Sequence, residues 1–375
     1  MTMKTGGRIR YADSIDPVTT DGRDVDTAIA TLDGEGAQQR AHSDDEHLKR
    51  LAPAPWDRVP AITDTDTTYY DRPVLKPSVW SVDIPIYYFL GGTAGAALTM
   101  GASIQLLSPP GRHPMRRLSE LCHWTGIIGS TAGAAFLIHD LGRPSRFLYM
   151  MRVFRPSSPM NMGAWILGGA APTAIATGLF LNRGGVLGVL GEAAGYASGL
   201  FGAALAGYTG VLVSNSAIPI WQEARRWVPA MFVASSGSAA ASVIAMFSSD
   251  ERSCRAIRIF GTAARVAEIA ATRQVERAAS AIPKVAEPLR RGRPAILWKA
   301  ASTLTLASLA FSLAPIRGRK KTIAAGLLGA AGSLCLRFAV HYLSNASACD
   351  PRASFHQQRA RTAEQPRLQE HDYAG

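Results

Sequence analysis

A histidine and an aspartate stand side by side where a long apolar stretch ends, in the most polar motif of the chain. The motif reads His139-Asp140-Leu141-Gly142-Arg143-Pro144. Histidine changes charge near neutral pH, and a neighbouring carboxylate can fix its tautomer or take its proton. We therefore expect His139 and Asp140 to transfer protons, with Arg143 supplying positive charge for an anionic ligand or an acidic partner. A helix end capped by an Asp140 to Arg143 pair is the structural alternative.

Three further polar side chains fall inside or beside apolar stretches. Tyr208 carries a hydroxyl that can donate to a ligand carbonyl while its ring packs on apolar neighbours. Asp83 stands at the start of the first apolar stretch, where it is a proton group or a helix N-cap. Glu268 is a candidate for proton transfer, because an ionised carboxylate in lipid is costly. Alternatively, Tyr208 bonds a neighbouring helix and Glu268 forms a static pair with Arg265, three residues away.

Long apolar segments must position these residues, and each is about the 20 residues that a helix needs to cross a bilayer. Turn-forming residues such as Pro156, Pro219 and Pro315 separate the segments. The pattern predicts an all-α membrane protein with about eight transmembrane helices. The predicted spans cover residues 84–107, 118–139, 163–181, 193–214, 228–248, 254–279, 295–313 and 322–344.

An internal sequence repeat, the echo, indicates how those spans are grouped. The run Ile84-Pro85-Ile86-Tyr87-Tyr88-Phe89-Leu90-Gly91-Gly92 lines up with Val228-Pro229-Ala230-Met231-Phe232-Val233-Ala234-Ser235-Ser236, with proline on proline and small residues on small residues. The first and fifth spans would then run in the same direction, as a parallel repeat of four helices requires. We therefore predict two four-helix bundles; chance similarity between two small-residue helices is the alternative.

Charge separates an N-terminal head from the rest of the chain. Residues 1–82 carry 14 acidic and 10 basic side chains, whereas the remainder carries 14 acidic and 30 basic ones. The head has too little apolar periodicity to bury a core, so we predict that it is largely disordered. The basic residues fall between apolar segments, which favours lipid headgroups over nucleic acid as their partner. The predicted boundaries are 1–80 for the acidic head, 81–348 for the transmembrane domain and 349–375 for a polar tail.

Cysteine spacing excludes several redox centres. Cys122, Cys254, Cys335 and Cys349 are scattered singly, with no CxxC pair, no CxxCH motif and no zinc-binding spacing. We therefore expect no iron–sulfur cluster, no c-type haem and no metal site within the chain.

The motifs together resemble the polysulfide reductase/NrfD family of membrane anchors. The resemblance rests on Trp80, Ile84-Pro85 and Gly91-Gly92, on the His139 motif, and on Phe154-Arg155-Pro156 with Ser158-Pro159-Met160. It continues through Tyr208-Thr209-Gly210, Ile218-Pro219-Ile220-Trp221 and Leu336-Arg337-Phe338, and it covers residues 80 to about 354.

This resemblance implies a quinone-binding subunit of an oxidoreductase complex rather than a complete enzyme. Such a subunit lies in the cell inner membrane, holds no haem or iron–sulfur cluster, and exchanges electrons between the quinone pool and a ferredoxin-like iron–sulfur subunit. That partner adjoins a further redox subunit, such as a molybdoenzyme. Positions here that could line a quinone or quinol pocket are Asp83, Tyr87, His139, Asp140, Arg143 and Tyr208. Some family members carry Asn and His in the first span, where this sequence has Asp83, Tyr87 and Tyr88.

Two other classes remain open from the sequence. Histidines at 123, 139 and 341 could ligate a b-type haem, although 123 and 139 are 16 residues apart on one helix and cannot share one haem. A four-helix repeat with a buried Glu268 also suits a transporter of a small solute or ion.

Overall fold

The computed structural model describes residues 24–26, 31–33, 73–76, 78, 80–108, 115–315 and 318–360. Residues 1–58 and 59–375 cluster as two separate units. In the first unit, strands β1 (Asp24–Asp26) and β2 (Thr31–Asp33) pair antiparallel, with Val25 opposite Leu32. Most of the predicted disordered head lies outside the described residues, so that prediction is not tested.

The second unit is helical wherever the structure describes regular elements. Apolar residues with high mean hydropathy fill most of the long helices, and prolines or glycines stand at several of their ends. The helices are α1 (Asp83–Leu107), α2 (Arg116–Asp140), α3 (Ser145–Met151), α4 (Pro159–Phe180), α5 (Gly185–Ser214), α6 (Pro219–Glu223), α7 (Val228–Phe247), α8 (Glu251–Ala279), α9 (Glu287–Arg290), α10 (Gly292–Leu313) and α11 (Arg319–Cys349).

Six of the described helices are long and apolar enough to cross a membrane, namely α2, α4, α5, α7, α10 and α11. The chain is therefore a multi-pass membrane protein. Each predicted span coincides with a long helix, but α1 and α8 fall outside the six. Paired tyrosines and glycines dilute the apolar character of α1, and α8 carries charges such as Arg258, Arg265 and Glu268. A total of eight spans in two four-helix bundles stays a prediction.

Helix α1 packs against α2, α5, α7 and α11. Its approach to α5 depends on Gly95: a methyl group there would lie 2.5 Å from the carbonyl oxygen of Gly202 and 2.7 Å from the backbone nitrogen of Ala206. Only a residue without a side chain permits backbones to pack this closely, as is usual between membrane helices. The middle of α1 is thereby held against α5.

Equivalent positions of the sequence echo contact each other across α1 and α7. The rings of Tyr88 and Phe232 meet edge to face with centroids 5.9 Å apart. One turn later, a methyl group on Gly92 would lie within 2.4 Å of the Ser236 hydroxyl oxygen. Because both contacts join residues 144 positions apart, α1 and α7 run in the same direction, as the echo predicts.

Beyond α11, residues 351–360 are helical and contact the rest of the unit. Gln357 is buried, and its amide donates to the backbone carbonyl of Pro219 at 3.2 Å and to the Glu223 carboxylate at 2.6 Å. The first part of the predicted polar tail is thus anchored on α6, and residues 361–375 lie outside the described part of the chain.

Candidate functional site

The start of α1 and the end of α2 bring Asp83 and His139 together. Nδ1 of His139 lies 2.6 Å from Oδ2 of Asp83. The histidine side chain is 73% exposed, whereas that of Asp83 is 19% exposed. Asp83 is not the N-cap of α1, since Val82 holds that position without a side-chain bond. A carboxylate that is partly shielded therefore holds an imidazole at the surface, an arrangement suited to passing protons to water.

Asp140 points toward the chain segment that precedes α1. Its Oδ1 accepts hydrogen bonds from the backbone amide of Ser81 at 2.9 Å and from the Ser81 hydroxyl at 2.5 Å. No ion pair within 4 Å joins Asp140 to Arg143 in the described ranges. The helix end is therefore not capped by an Asp140 to Arg143 pair, which was the structural alternative. Two donors from one serine fix the carboxylate.

A pair of tyrosine hydroxyls lies deeper in the same region. The hydroxyl oxygens of Tyr87 on α1 and Tyr208 on α5 are in contact. Gly163 on α4 makes room for the second ring, because a methyl group there would lie 2.2 Å from Cε2 of Tyr208. Tyr88, which the sequence did not single out, is also buried, and its hydroxyl has no hydrogen-bond partner among the described residues. Buried hydroxyls of this kind can bond a polar ligand.

Asp140 and the three tyrosines line one cleft with a volume of about 40 Å³, and Asp83 and His139 are not among its lining residues. Its polar atoms come from these four residues, and Met150 and Met160 also line it. The other lining residues are apolar: Trp80, Ile84, Leu137, Leu141, Ala164 and Leu212. Ligand pockets usually measure about 300–1,000 Å³, so a ring-sized ligand requires the cleft to widen. Methionine side chains are flexible enough to permit this.

Arg143 lies apart from the cleft. It is exposed in the loop after α2, where Gly142 adopts a left-handed conformation with φ of 69°. Glycine commonly ends helices in this conformation, and it turns the chain away from the helix axis. Arg143 is therefore available to a partner on the surface rather than to a ligand within the cleft.

Glu268, on α8, is not among the residues that line the cleft. It is 3% exposed, and its Oε2 has no hydrogen-bond partner in the described part of the chain. The positive charges of Arg265 and Arg337 lie near it, but no ion pair within 4 Å joins it to either residue among those described. The Arg265 to Glu268 ion pair, which was the alternative considered from the sequence, is therefore not formed.

Arg337 on α11 is a buried cation that the sequence did not nominate. Its guanidinium lies 4.0 Å from the centre of the Phe232 ring and donates to the Phe232 carbonyl oxygen at 3.0 Å and the Ser236 hydroxyl at 3.1 Å. The signal available in the sequence was a single arginine inside a long apolar helix, which is rare without a partner.

Sequence reasoning also missed Ser81 and the two methionines of the cleft. Ser81 precedes α1, and nothing in its immediate sequence marks it as the partner of a residue 59 positions away. Met150 and Met160 flank the loop between α3 and α4. Met160 ends the quoted Ser158-Pro159-Met160 motif, whereas Met150 lies outside the quoted motifs, and methionine alone more commonly indicates packing.

The helical unit and its cleft define a multi-pass helical membrane protein with a polar, aromatic site at one end of the bundle. The family described as polysulphide reductase, NrfD, matches residues 73–345. The chain belongs to that family, as the sequence motifs indicate. No curated protein matches the chain.

Proposed function

We propose that this protein is the membrane anchor of an inner-membrane oxidoreductase complex and that it binds a quinone or quinol in the cleft. The observation that carries this proposal is the convergence of Tyr87, Tyr208 and Asp140 on one aromatic cleft beside the Asp83 to His139 pair. A quinone offers a flat apolar ring with two opposed carbonyls, and this cleft offers apolar walls with hydroxyl and carboxyl groups. Family membership supports the same assignment.

Tyr87 and Tyr208 bind the quinone, and Met150 and Met160 form the flexible part of the cleft lining. Tyr87 or Tyr208 donates its hydroxyl to one ligand oxygen while the aromatic rings pack on the ligand face. Because the cleft is small, Met150 and Met160 move aside as the ring enters from the lipid.

Proton transfer is assigned to Asp140, His139 and Asp83. A quinol supplies two electrons and two protons when it is oxidised. Asp140 lines the cleft and is the carboxylate within reach, so it accepts the two protons one after the other from the ligand hydroxyls and passes each on before taking the next. His139, the preceding residue in the chain, is mostly exposed and delivers the protons to water with Asp83 fixing its ring. Glu268 serves a separate proton step in the second half of the chain.

The electrons pass to a partner subunit, because the proposed anchor has no redox centre of its own. A ferredoxin-like iron–sulfur subunit docks over the exposed His139 surface and receives them, and a further redox subunit such as a molybdoenzyme completes the complex. Arg143 and Arg146, both exposed beside that surface, attract an acidic partner.

The test replaces Asp140 by Asn and His139 by Ala and measures quinol-linked electron transfer in the assembled complex. We expect each change to lower the rate by about 100-fold, the low end of general acid–base catalysis. The matched control is His356→Ala, which removes another exposed histidine outside the site. Normal rates in both site variants, with normal assembly, would remove these residues from the mechanism.

A further inference from the structure

A second cavity, larger than the cleft, lies among other helices of the unit. It has a volume of about 560 Å³ and is bounded by α7, α8, α10 and α11. It opens where α7 ends and α8 begins. Since α1 and α7 run in the same direction and the cleft lies at the start of α1, the cavity opens at the opposite end of the bundle. It is therefore a separate site.

Its lining is strongly basic. Four cationic side chains line it: Arg255, Arg258, Arg265 and Lys321. The only acidic side chain in the lining is Glu251, which is 91% exposed and lies 3.7 Å from Arg255. Three positive charges therefore have no acidic counterpart in the cavity wall.

Arg265 is the deepest of these cations. It is 3% exposed, and its guanidinium donates to the Ser242 hydroxyl at 2.9 Å. Its Nε has no hydrogen-bond partner among the described residues. Glu268 attracts it electrostatically but forms no ion pair with it within 4 Å. Burying a cation without a contacting anion is costly, so a group that supplies negative charge would stabilise this arrangement.

We propose that this cavity binds a phosphate group, carried by a phospholipid headgroup or by a free phosphate ion. Arginine binds phosphate oxygens through paired N–H groups, and lysine adds a point charge. The volume lies within the usual range for ligand sites. Basic pockets between membrane helices are suited to anionic headgroups, and the lining here combines that charge with the small side chains of Ala241, Ala245, Ala325 and Gly326.

Cys254 provides a direct probe, because it lines the cavity and is partly exposed. The full chain is placed in phosphatidylcholine nanodiscs, and the alkylation rate of each cysteine is measured by mass spectrometry. One series adds inorganic phosphate, and another replaces part of the lipid by phosphatidylglycerol. We expect saturating ligand to slow Cys254 alkylation, because a phosphate group in the cavity would cover the thiol. Cys335 and Cys349 lie outside the cavity and should react at unchanged rates.

Slowing by phosphatidylglycerol alone identifies a lipid headgroup as the source, whereas slowing by inorganic phosphate identifies a soluble anion. Arg258→Gln and Lys321→Gln should each raise the half-protecting concentration about fivefold. The matched controls are Arg252→Gln and Lys320→Gln, which alter exposed cations on the same helices outside the cavity lining. They should leave the half-protecting concentration unchanged. Melting temperatures confirm that all four variants fold.

The proposal is overturned if neither ligand slows Cys254 alkylation. It is also overturned if the control variants weaken protection as much as the cavity variants do, because general surface charge would then explain the effect. Neither outcome bears on the quinone cleft, which is at the other end of the bundle.

Discussion

Replacing Gly163 by alanine should displace Tyr208 without removing any polar group from the cleft. The added methyl carbon would lie 2.2 Å from Cε2 and 2.7 Å from Cζ of the tyrosine ring. Carbon atoms pack at about 3.5 Å or more, so the ring would have to move by about 1.3 Å. That movement separates the Tyr208 hydroxyl from Tyr87, with which it is in contact.

Displacing the ring should lower both the free energy of unfolding and the affinity for the quinone. Overpacking an interior position costs about 1–3 kcal/mol of unfolding free energy. Loss of one hydrogen bond to the ligand costs about 0.5–1.5 kcal/mol, which weakens binding about 2- to 12-fold. The matched control is Gly168→Ala on the same helix, where the new methyl meets only the flexible end of Met151, at 2.7 Å. We expect that control to bind as the parent chain does.

The assay titrates a short-chain quinone into the chain in nanodiscs and follows tryptophan fluorescence, since Trp80 lines the cleft. Thermal unfolding of the same samples gives the stability change. If Gly163→Ala is less stable but binds the quinone with unchanged affinity, Tyr208 does not contact the ligand. If Gly168→Ala weakens binding equally, the effect is not specific to the tyrosine.

Two further predictions concern stability. Gly95→Ala should lower the free energy of unfolding by about 1–3 kcal/mol, because its methyl would meet the backbone of Gly202 at 2.5 Å. The control Gly207→Ala should lower it less, because its methyl meets only a side-chain methyl at 3.0 Å. Equal melting temperatures of the two variants would contradict this prediction. Asp250 caps α8 by accepting the Ser253 amide at 2.9 Å, and this bond lowers the pKa of its carboxyl. A lowered folded-state pKa stabilises the protein above the ordinary value of about 3.9, and the contribution is lost as pH falls. Asp250→Ala should therefore cost about 1 kcal/mol at neutral pH, whereas Asp250→Asn should retain the cap and lose its acid sensitivity; identical acid unfolding of Asp250→Asn and the parent chain would contradict the assignment.

The helices could be predicted from the sequence because their signals are local. Apolar runs of membrane length and the breakers between them depend only on neighbouring residues, and each predicted span coincides with a long helix. The echo of α1 in α7 also predicted their common direction, since small residues and prolines recur at one offset. Whether α1 and α8 cross the membrane depends on what surrounds them, which their own residues do not specify.

The candidate site was predicted less completely, because its contacts are distant in sequence. Asp83 and His139 were both candidates, but their pairing joins residues 56 positions apart. Ser81 carries no local signal as the partner of Asp140. Arg143 was expected beside the pocket from its place in the motif, and the turn at Gly142 places it on the surface instead.

Photochemical crosslinking with an azido-quinone tests the central claim most directly. The full chain in nanodiscs is irradiated with the probe, with and without excess unlabelled quinone, and the labelled peptides are mapped. We expect competable labelling at the start of α1, in residues 137–160 and around Tyr208. Labelling that quinone does not compete, or that is confined to α8, α10 and α11, would contradict a quinone site in this cleft.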